Sequence, residues 1–293
     1  MLKIVKGIVS IESTYPVLSA ILKRFMTKFP HLFGIVLLLA LTFFSGCYTV
    51  PETGRQSFIL TSLSQEAQLG ADAFSEIKGQ EKISTDPEAT ARVERVGRRI
   101  AREAESDLPD LDWEFVLFDN DAINAFALPG GKVGVYTGLL DLTENDDQLA
   151  AVIGHEIAHV TARHGAERMS RSIALAVGGV GLGLATRDSE YRDAFMIAYG
   201  VGSTLGVELP YSRRAETEAD RVGLLYAARA GYDPRESVTF WQRMQKASEG
   251  RPQPPALLST HPTDDRRIRD LQEMMPAALR EYEEAQRISQ PAN

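Results

Sequence analysis

The chain has 293 residues, of which 44% are hydrophobic and 25% are charged, a composition typical of a globular protein with a buried core. The formal net charge of −8 and the lack of a dense lysine and arginine cluster argue against a nucleic-acid-binding surface. We therefore predict no nucleic-acid partner. The length suits one catalytic domain of roughly 200 residues between two terminal segments.

Residues 1–46 have the pattern of a secretory signal peptide, and Met26 offers a second possible start. The apolar run at 32–44 is shorter than the roughly 20 residues that cross a bilayer. The sequence F-S-G-C ends at Cys47, the only cysteine, and resembles a lipobox, although Phe44 departs from the usual leucine. We predict that Cys47 is lipidated, which explains an unpaired cysteine in a secreted protein. The alternative is an uncleaved signal anchor.

The next residues predict the location and the domain boundaries. An aspartate directly after the cysteine would resemble an inner-membrane retention signal, but this position is Tyr48. We therefore predict a lipid-anchored protein of the bacterial envelope, on the periplasmic side of the outer membrane. Residues 47–61 are predicted to form the lipidated tether. The catalytic domain is expected over 62–275, and the end of the last helix with a polar tail over 276–293.

Two helices, a strand and a hairpin are predicted in the first half of the domain. Ser62 and Gln65 form a capping box, and Pro87 is placed to begin a second helix. Aromatic and β-branched residues predict a strand at 113–118. Two further strands, at 123–127 and 133–136, are joined by P-G-G-K, which indicates a hairpin.

A helix with two histidines lies in the middle of the chain. Apolar residues recur at helical spacing over 149–160 and predict a buried helix. His155, Glu156 and His159 form H-E-x-x-H within it. At about 100° per residue the two histidines project about 40° apart, so two neutral imidazoles can bind one metal ion. Glu156 projects beside them.

This arrangement has the chemistry of a zinc hydrolase. The histidines hold Zn²⁺, the metal acidifies a water molecule, and the neighbouring carboxylate takes its proton. A catalytic zinc has three protein ligands, so a third ligand is expected elsewhere in the chain. We exclude His164, because it would lie about 140° from His159 on the same helix. The alternative is a helix with two ordinary histidines.

A second helix offers the missing ligand. Glu216 and Asp220 are four residues apart, so one carboxylate can bind the metal while the other accepts a hydrogen bond from a ligand histidine. Glu218 is the rival ligand, but it lies about 200° around the helix from Glu216. We expect Glu218 to pair with Arg214 or Arg221 instead. The alternative for the whole segment is a solvated charged face.

Residues 173–185 and 194–207 are apolar and rich in glycine, and both are short for a transmembrane helix. We predict two closely packed helices joined by a polar turn at 187–192. Gly179 and Gly183 are expected at their contact. A shallow contact of this hairpin with a membrane surface is a second hypothesis.

These motifs together resemble a known family. H-E-x-x-H followed by S-R-x-x-E-x-E-A-D is similar to the gluzincin metallopeptidases of the CAAX prenyl protease, HtpX and BepA type, which are membrane-associated enzymes with one catalytic zinc. The similarity extends from about residue 48 to 267 and includes N-A-F-A-L-P-G-G from Asn124 and S-T-H-P at 259–262. The chain resembles a bacterial lipoprotein member of this family.

The resemblance implies an α+β, mainly helical zincin-like fold with a small sheet over the active-site helix. It implies one Zn²⁺ per chain, bound by His155, His159 and Glu216. It further implies that Glu156 is the general base and that Asp220 is hydrogen-bonded behind a ligand.

Two features follow from the resemblance with alternatives. The loop of His261 is implied to lie near the cleft, where this residue could stabilise the tetrahedral intermediate or occupy the open position of zinc at rest. A surface histidine in a helix-capping loop is the alternative. The hairpin at 123–136 is implied to lie above the zinc helix, where its edge can pair with an extended peptide, or it only covers the core.

We therefore predict a membrane-anchored zinc metalloendopeptidase that cleaves unfolded, misfolded or stalled envelope proteins in quality control. The alternative is a zinc-containing chaperone or assembly factor that acts with the outer-membrane assembly machinery and whose proteolysis is latched. A structural zinc lipoprotein is disfavoured, because closed zinc sites usually have four ligands, often cysteines.

Overall fold

The computed structural model describes residues 47–187, 189–249, 254–262 and 265–289. The chain divides into two compact units, Met1–Tyr48 and Thr49–Asn293, and of the first unit only Cys47 and Tyr48 are described. The signal peptide predicted over 1–46 lies outside the described residues, as do residues 290–293. Cys47 is an exposed free cysteine.

Five strands and ten α-helices follow one another in the described residues, with one π-helical segment (Thr204–Glu208) between two of the helices. The strands are β1 (Cys47–Thr49), β2 (Gln56–Phe58), β3 (Glu114–Phe118), β4 (Ala125–Leu128) and β5 (Lys132–Tyr136). The helices are α1 (Leu63–Gln80), α2 (Pro87–Ala104), α3 (Thr137–Leu142), α4 (Asp146–Thr161), α5 (His164–Ala185), α6 (Arg192–Ser203), α7 (Leu209–Arg229), α8 (Arg235–Ser248), α9 (Ala256–Thr260) and α10 (Asp265–Ser289).

The predicted hairpin is present and forms part of a three-stranded sheet in the order β3-β5-β4. β3 runs parallel to β5, and β4 pairs antiparallel with β5. Gly130 and Gly131 at the turn have φ angles of 83°, which only glycine adopts without strain. The sheet leaves β4 at an edge. The predicted α+β class, mainly helical with a small sheet, is confirmed.

The core is built around α4, which packs against α2, α7 and α8. Leu149, Val152, Ile153 and Ile157 are fully buried on this helix. Asn145 caps its start, because its side chain accepts a hydrogen bond of 2.8 Å from the backbone N–H of Gln148. The apolar spacing in the sequence therefore positions the H-E-x-x-H segment inside the protein rather than on its surface.

The prediction that His164 lies on the same helix as His159 is wrong. α4 ends at Thr161, and Arg163 has a φ of 55°, so α5 starts in a new direction at His164. The side chain of Arg163 forms a buried ion pair with Glu66 of α1 and donates to the backbone oxygen of Thr61. These contacts with distant parts of the chain stabilise a break that the local sequence does not indicate.

Both ends of the predicted catalytic domain make long-range contacts. In the segment predicted as a tether, Val50 and Ile59 are buried, and both belong to the second unit. At the other end α10 runs to Ser289, and Glu281 forms an ion pair with Arg229 of α7. The domain boundaries at residues 62 and 275 stay predictions.

The apolar segments form the helices α5 and α6, which lie against each other. No residue of α6 is buried, and Ile197 is 67% exposed. Gly179 and Gly183 both face α6, since a Cβ at Gly179 would lie 3.4 Å from the Tyr199 ring and one at Gly183 3.9 Å from Met196. Gly178 is nearer still, because a Cβ there would lie 2.6 Å from the Tyr199 hydroxyl. Within the described part of the chain, no helix is long and apolar enough to cross a membrane.

Candidate active site

Four side chains converge beside the buried end of α4. His155 and His159 come from α4, Glu216 from α7, and His261 follows α9; one ligand atom of each lies within 4.8 Å of the others. The Nε2 atoms of His155 and His159 are 3.1 Å apart, and Nδ1 of His261 is 3.0 Å from Oε2 of Glu216. Imidazole nitrogens and a carboxylate oxygen are the donors that zinc prefers. The cluster can therefore hold a metal ion.

Glu156 lies next to the cluster and is buried. Its Oε1 has no hydrogen-bond partner among the described groups, although Nε2 of His261 is 3.4 Å away. A buried carboxylate oxygen without a donor is unusual in a folded protein. It fits a site that receives a further proton donor, such as a water molecule beside a metal ion.

His155 is oriented by a carboxylate and an arginine behind it. Its Nδ1 is 2.8 Å from Oδ1 of Asp220, and Arg267 donates to both oxygens of that carboxylate at 2.6 and 2.8 Å. Arg267 also lies over the ring of Trp241, 3.5 Å from its centroid. Burial raises the pKa of Asp220, but the charge of Arg267 and the hydrogen bond from His155 outweigh this and keep the pKa below its usual value. The ionised Asp220 accepts the Nδ1 proton and leaves the Nε2 lone pair of His155 facing the cluster.

His159 has a different neighbour behind it. Its Nδ1 is 2.8 Å from Nδ1 of His164, whose Nε2 is 2.9 Å from Oε2 of Glu218. The expectation that Glu218 pairs with Arg214 or Arg221 is wrong. Glu218 is buried and pairs with His164 and with Arg55, which is 163 residues earlier in the chain.

His164 is thus a residue that the sequence analysis missed. That His164 is not a metal ligand stays a prediction, but the assumed helical geometry hid its contact with His159. The only local signal was a third histidine shortly after H-E-x-x-H. This third histidine can contact His159 because the helix breaks at Arg163.

The carboxylates change the proton affinity of the cluster. Burial and the charge of Arg267 lower the pKa of His155, but hydrogen bonds with Asp220 and Glu216 raise it to about 9. Burial lowers the pKa of His159. Burial would raise the pKa of Glu216, but its hydrogen bonds with the histidines hold it well below the usual range. A metal ion at this site therefore competes with a proton on His155.

A cleft of about 330 Å³ opens beside the cluster. It is lined by Glu156, His159 and His261, and by the residues of β4 from Ala125 to Leu128. Because β4 is at the edge of the sheet, its outer backbone groups border the same space as the cluster. An extended chain in the cleft could reach both.

A comparison with known families assigns this arrangement. Residues 87–275 match the sequence profile of peptidase family M48. The chain belongs to peptidase family M48. The predicted gluzincin family, zincin-like fold, zinc cofactor and metalloendopeptidase class are confirmed by this match and by the metal-binding cluster.

Two relatives of this M48 peptidase are informative. It is 37% identical over 240 residues to the mitochondrial metalloendopeptidase OMA1 of Schizosaccharomyces pombe. This alignment covers 80% of this chain and 68% of the relative. It is 32% identical over 226 residues to the beta-barrel assembly-enhancing protease of Escherichia coli. This second alignment covers 76% of this chain and 46% of the relative. The M48 peptidase therefore matches about half the length of the bacterial relative.

Proposed function

We propose that this M48 peptidase cleaves misfolded or stalled proteins of the bacterial envelope, with zinc bound by His155, His159 and Glu216 and with Glu156 as general base. The observation that carries the proposal is the convergence of these ligand atoms within 4.8 Å beside a buried, unpartnered oxygen of Glu156. A metal cluster without such a carboxylate would suit a purely structural site.

The residues divide the chemistry between them. Zinc, when bound here, supplies a Lewis acid that polarises a peptide carbonyl and lowers the pKa of a water molecule. Glu156 accepts the proton of the attacking water and then returns it to the leaving amine. Asp220, fixed by Arg267, keeps the Nε2 lone pair of His155 directed at the cluster.

The outer edge of β4 supports an extended peptide as substrate. Main-chain hydrogen bonds to an edge strand give affinity with little dependence on sequence. A folded protein has few free extended segments to offer, whereas an unfolded or misfolded one has many. The strand edge therefore favours substrates that are defined by their conformation rather than by a sequence motif.

The proposed location is the periplasmic side of the outer membrane, with residues 1–46 as signal peptide and a lipid on Cys47. The exposed position of Cys47 is compatible with its modification. The name of the Escherichia coli relative, a beta-barrel assembly-enhancing protease, supports a role near the outer-membrane assembly machinery.

His261 favours a second candidate, a zinc-containing assembly factor whose proteolysis is latched. Its Nδ1 is 3.1 Å from Nε2 of His155 and 3.0 Å from Oε2 of Glu216, the distances expected of groups that share one metal ion. A catalytic zinc needs one position free for water or substrate. If His261 fills that position, it must leave before cleavage.

Casein hydrolysis by full-length protein in detergent, with zinc content measured on the same samples, separates the two candidates. For the endopeptidase we expect wild type to cleave with about one zinc per chain and Glu156→Gln to keep zinc but lose about 10²- to 10⁴-fold in rate. For the latched factor, wild type is inactive and His261→Ala cleaves. If wild type cleaves and Glu156→Gln cleaves at the same rate, Glu156 is not the general base.

A further inference from the structure

A row of buried polar groups extends from His159 toward the start of the second unit. His164 contacts His159, Glu218 contacts His164, and Arg55 contacts Glu218 with its Nε at 2.8 Å. His164 and Glu218 are both buried. None of these three groups belongs to the metal cluster or to the proposed proton transfer.

The direction of each hydrogen bond in this row follows from Glu218. An ionised carboxylate only accepts hydrogen bonds, so Nε2 of His164 carries the proton at the 2.9 Å contact. Nδ1 of a neutral His164 then carries a lone pair and no proton. At 2.8 Å it accepts the Nδ1 proton of His159, which places the free lone pair of His159 on Nε2, the atom that faces the cluster.

Glu218 itself is held from the other side. The hydroxyl of Thr53 donates to its Oε1, and Nε of Arg55 donates to its Oε2. The other nitrogens of Arg55 donate to Glu167 at 2.8 and 3.0 Å. The side chain of Arg55 is 15% exposed, so its charge compensates two largely buried carboxylates with little help from water.

The two ligand histidines therefore have corresponding partners. Behind His155, a carboxylate and an arginine, Asp220 and Arg267, make direct contact. Behind His159, the carboxylate acts through His164. Groups that accept the second ring proton of a ligand histidine fix its tautomer and its ring orientation.

We propose that His164 and Glu218 are positioning residues of the metal centre, and that Arg55 anchors them, so that the segment at 53–55 is part of the zinc site. The proposal rests on the proposed ligand role of His159 and goes beyond it. Residues 53–55, which were expected to belong to a tether, thereby help to orient His159.

The test compares zinc affinity and the visible spectrum of the Co²⁺-substituted protein, both on full-length protein. His164→Phe keeps a ring of similar size but removes the acceptor. We expect it to weaken zinc binding about 10- to 100-fold and to shift the ligand-field bands of Co²⁺. Glu218→Gln keeps an amide oxygen at the same place, so we expect a smaller loss in the same direction.

Glu167→Gln is the matched control, because the Glu167 side chain pairs with the same arginine but forms no hydrogen bond with the His164 ring among the described residues. We expect its zinc affinity to stay within about 3-fold of wild type, with an unchanged Co²⁺ spectrum. The proposal is overturned if His164→Phe also stays within that range, or if Glu167→Gln loses as much affinity as Glu218→Gln.

Two further outcomes are decisive. If neither His164→Phe nor Glu218→Gln folds while Glu167→Gln does, the two residues serve the fold and the positioning role is overturned. If His159→Ala binds zinc as tightly as wild type, the ligand assignment of the proposed function has failed. Loss of zinc by His159→Ala with no change in the other two folded variants removes the positioning role alone.

Discussion

Gly154 of α4 and Gly223 of α7 meet backbone to backbone. A Cβ at Gly154 would lie 2.7 Å from the carbonyl oxygen of Gly223, and a Cβ at Gly223 would lie 2.6 Å from the carbonyl carbon of Gly154. His155 follows Gly154 directly, and Glu216 lies on the same helix as Gly223. The close crossing of the two helices therefore brings the H-E-x-x-H segment and the carboxylate ligand together.

Gly154→Ala should separate these helices and damage the site. We expect a loss of about 1–3 kcal/mol in the free energy of unfolding, because the added methyl group meets backbone that cannot rotate away. Zinc affinity should fall with it. Gly181→Ala is the control, since a Cβ there has nothing within 4 Å. Alanine at that helical position should stabilise by up to about 1 kcal/mol. Urea unfolding without zinc measures both, and an unchanged Gly154→Ala would contradict the role of this contact.

Arg267→Gln should destabilise the protein more than any substitution of an exposed arginine. It leaves the carboxylate of Asp220 buried without its bidentate partner, so we expect a loss of about 3–5 kcal/mol in the free energy of unfolding. Arg266→Gln is the control, because the Arg266 side chain is 67% exposed and its ion pair with Asp270 is long, at 3.7 Å. That change should cost less than about 1 kcal/mol. Equal effects of the two substitutions in chemical denaturation would disprove the argument.

Arg267 also shows what the sequence can and cannot predict. The spacing of H-E-x-x-H and of Glu216 with Asp220 is a local property of two helices, and the structure brings these residues together. The arginine that fixes Asp220 lies 47 residues beyond it in another helix. No local pattern connects the two.

The same limit explains the other errors. The helical period predicted where His159 projects, but the break at Arg163 depends on Glu66, 97 residues earlier in the chain. Glu218 pairs with Arg55, which was assigned to a tether by composition alone. Periodicity identifies which face of a helix is buried, whereas the identity of what covers that face is a property of the folded chain.

Asp146 at the start of α4 should make the stability depend on pH. Burial raises its pKa, but hydrogen bonds from Arg95 and Arg92 outweigh this and lower it below 3.8. The unfolded chain then takes up the proton first as the pH falls. The contribution of these ion pairs is complete well above 3.8 and is lost as the pH falls through the lower value of the folded state.

We therefore expect Asp146→Asn to lose about 0.5–1 kcal/mol in the free energy of unfolding at pH 7, since the carboxylate is partly exposed and screened. The difference from wild type should narrow as the pH falls below about 4. Zinc-free protein is needed, because metal binding is itself pH-dependent. The exposed Asp141 supplies the control, as asparagine there should have little effect at any pH. A constant difference between wild type and Asp146→Asn would refute the ion-pair explanation.

The register of β4 identifies the backbone groups available to a peptide. Tyr136 donates its backbone N–H to the carbonyl of Asn124, so Asn124 is hydrogen-bonded to β5. Alternate residues in an antiparallel strand point their backbone groups to opposite sides, so those of Ala127 face away from β5. The carbonyl of Ile123, on the same outer side, accepts from Leu257. The free edge thus begins beyond this contact.

Ala127→Pro should weaken substrate binding while leaving the sheet and the metal cluster intact. Proline removes an N–H on the outer side of an edge strand, where it breaks no ladder bond. Losing one backbone hydrogen bond of about 1 kcal/mol should raise the KM for casein about 5- to 10-fold, with kcat and zinc content close to wild type. Ala127→Val keeps the N–H and adds bulk, so its KM should change less. If both variants raise KM equally, the side chain and not the strand edge determines binding.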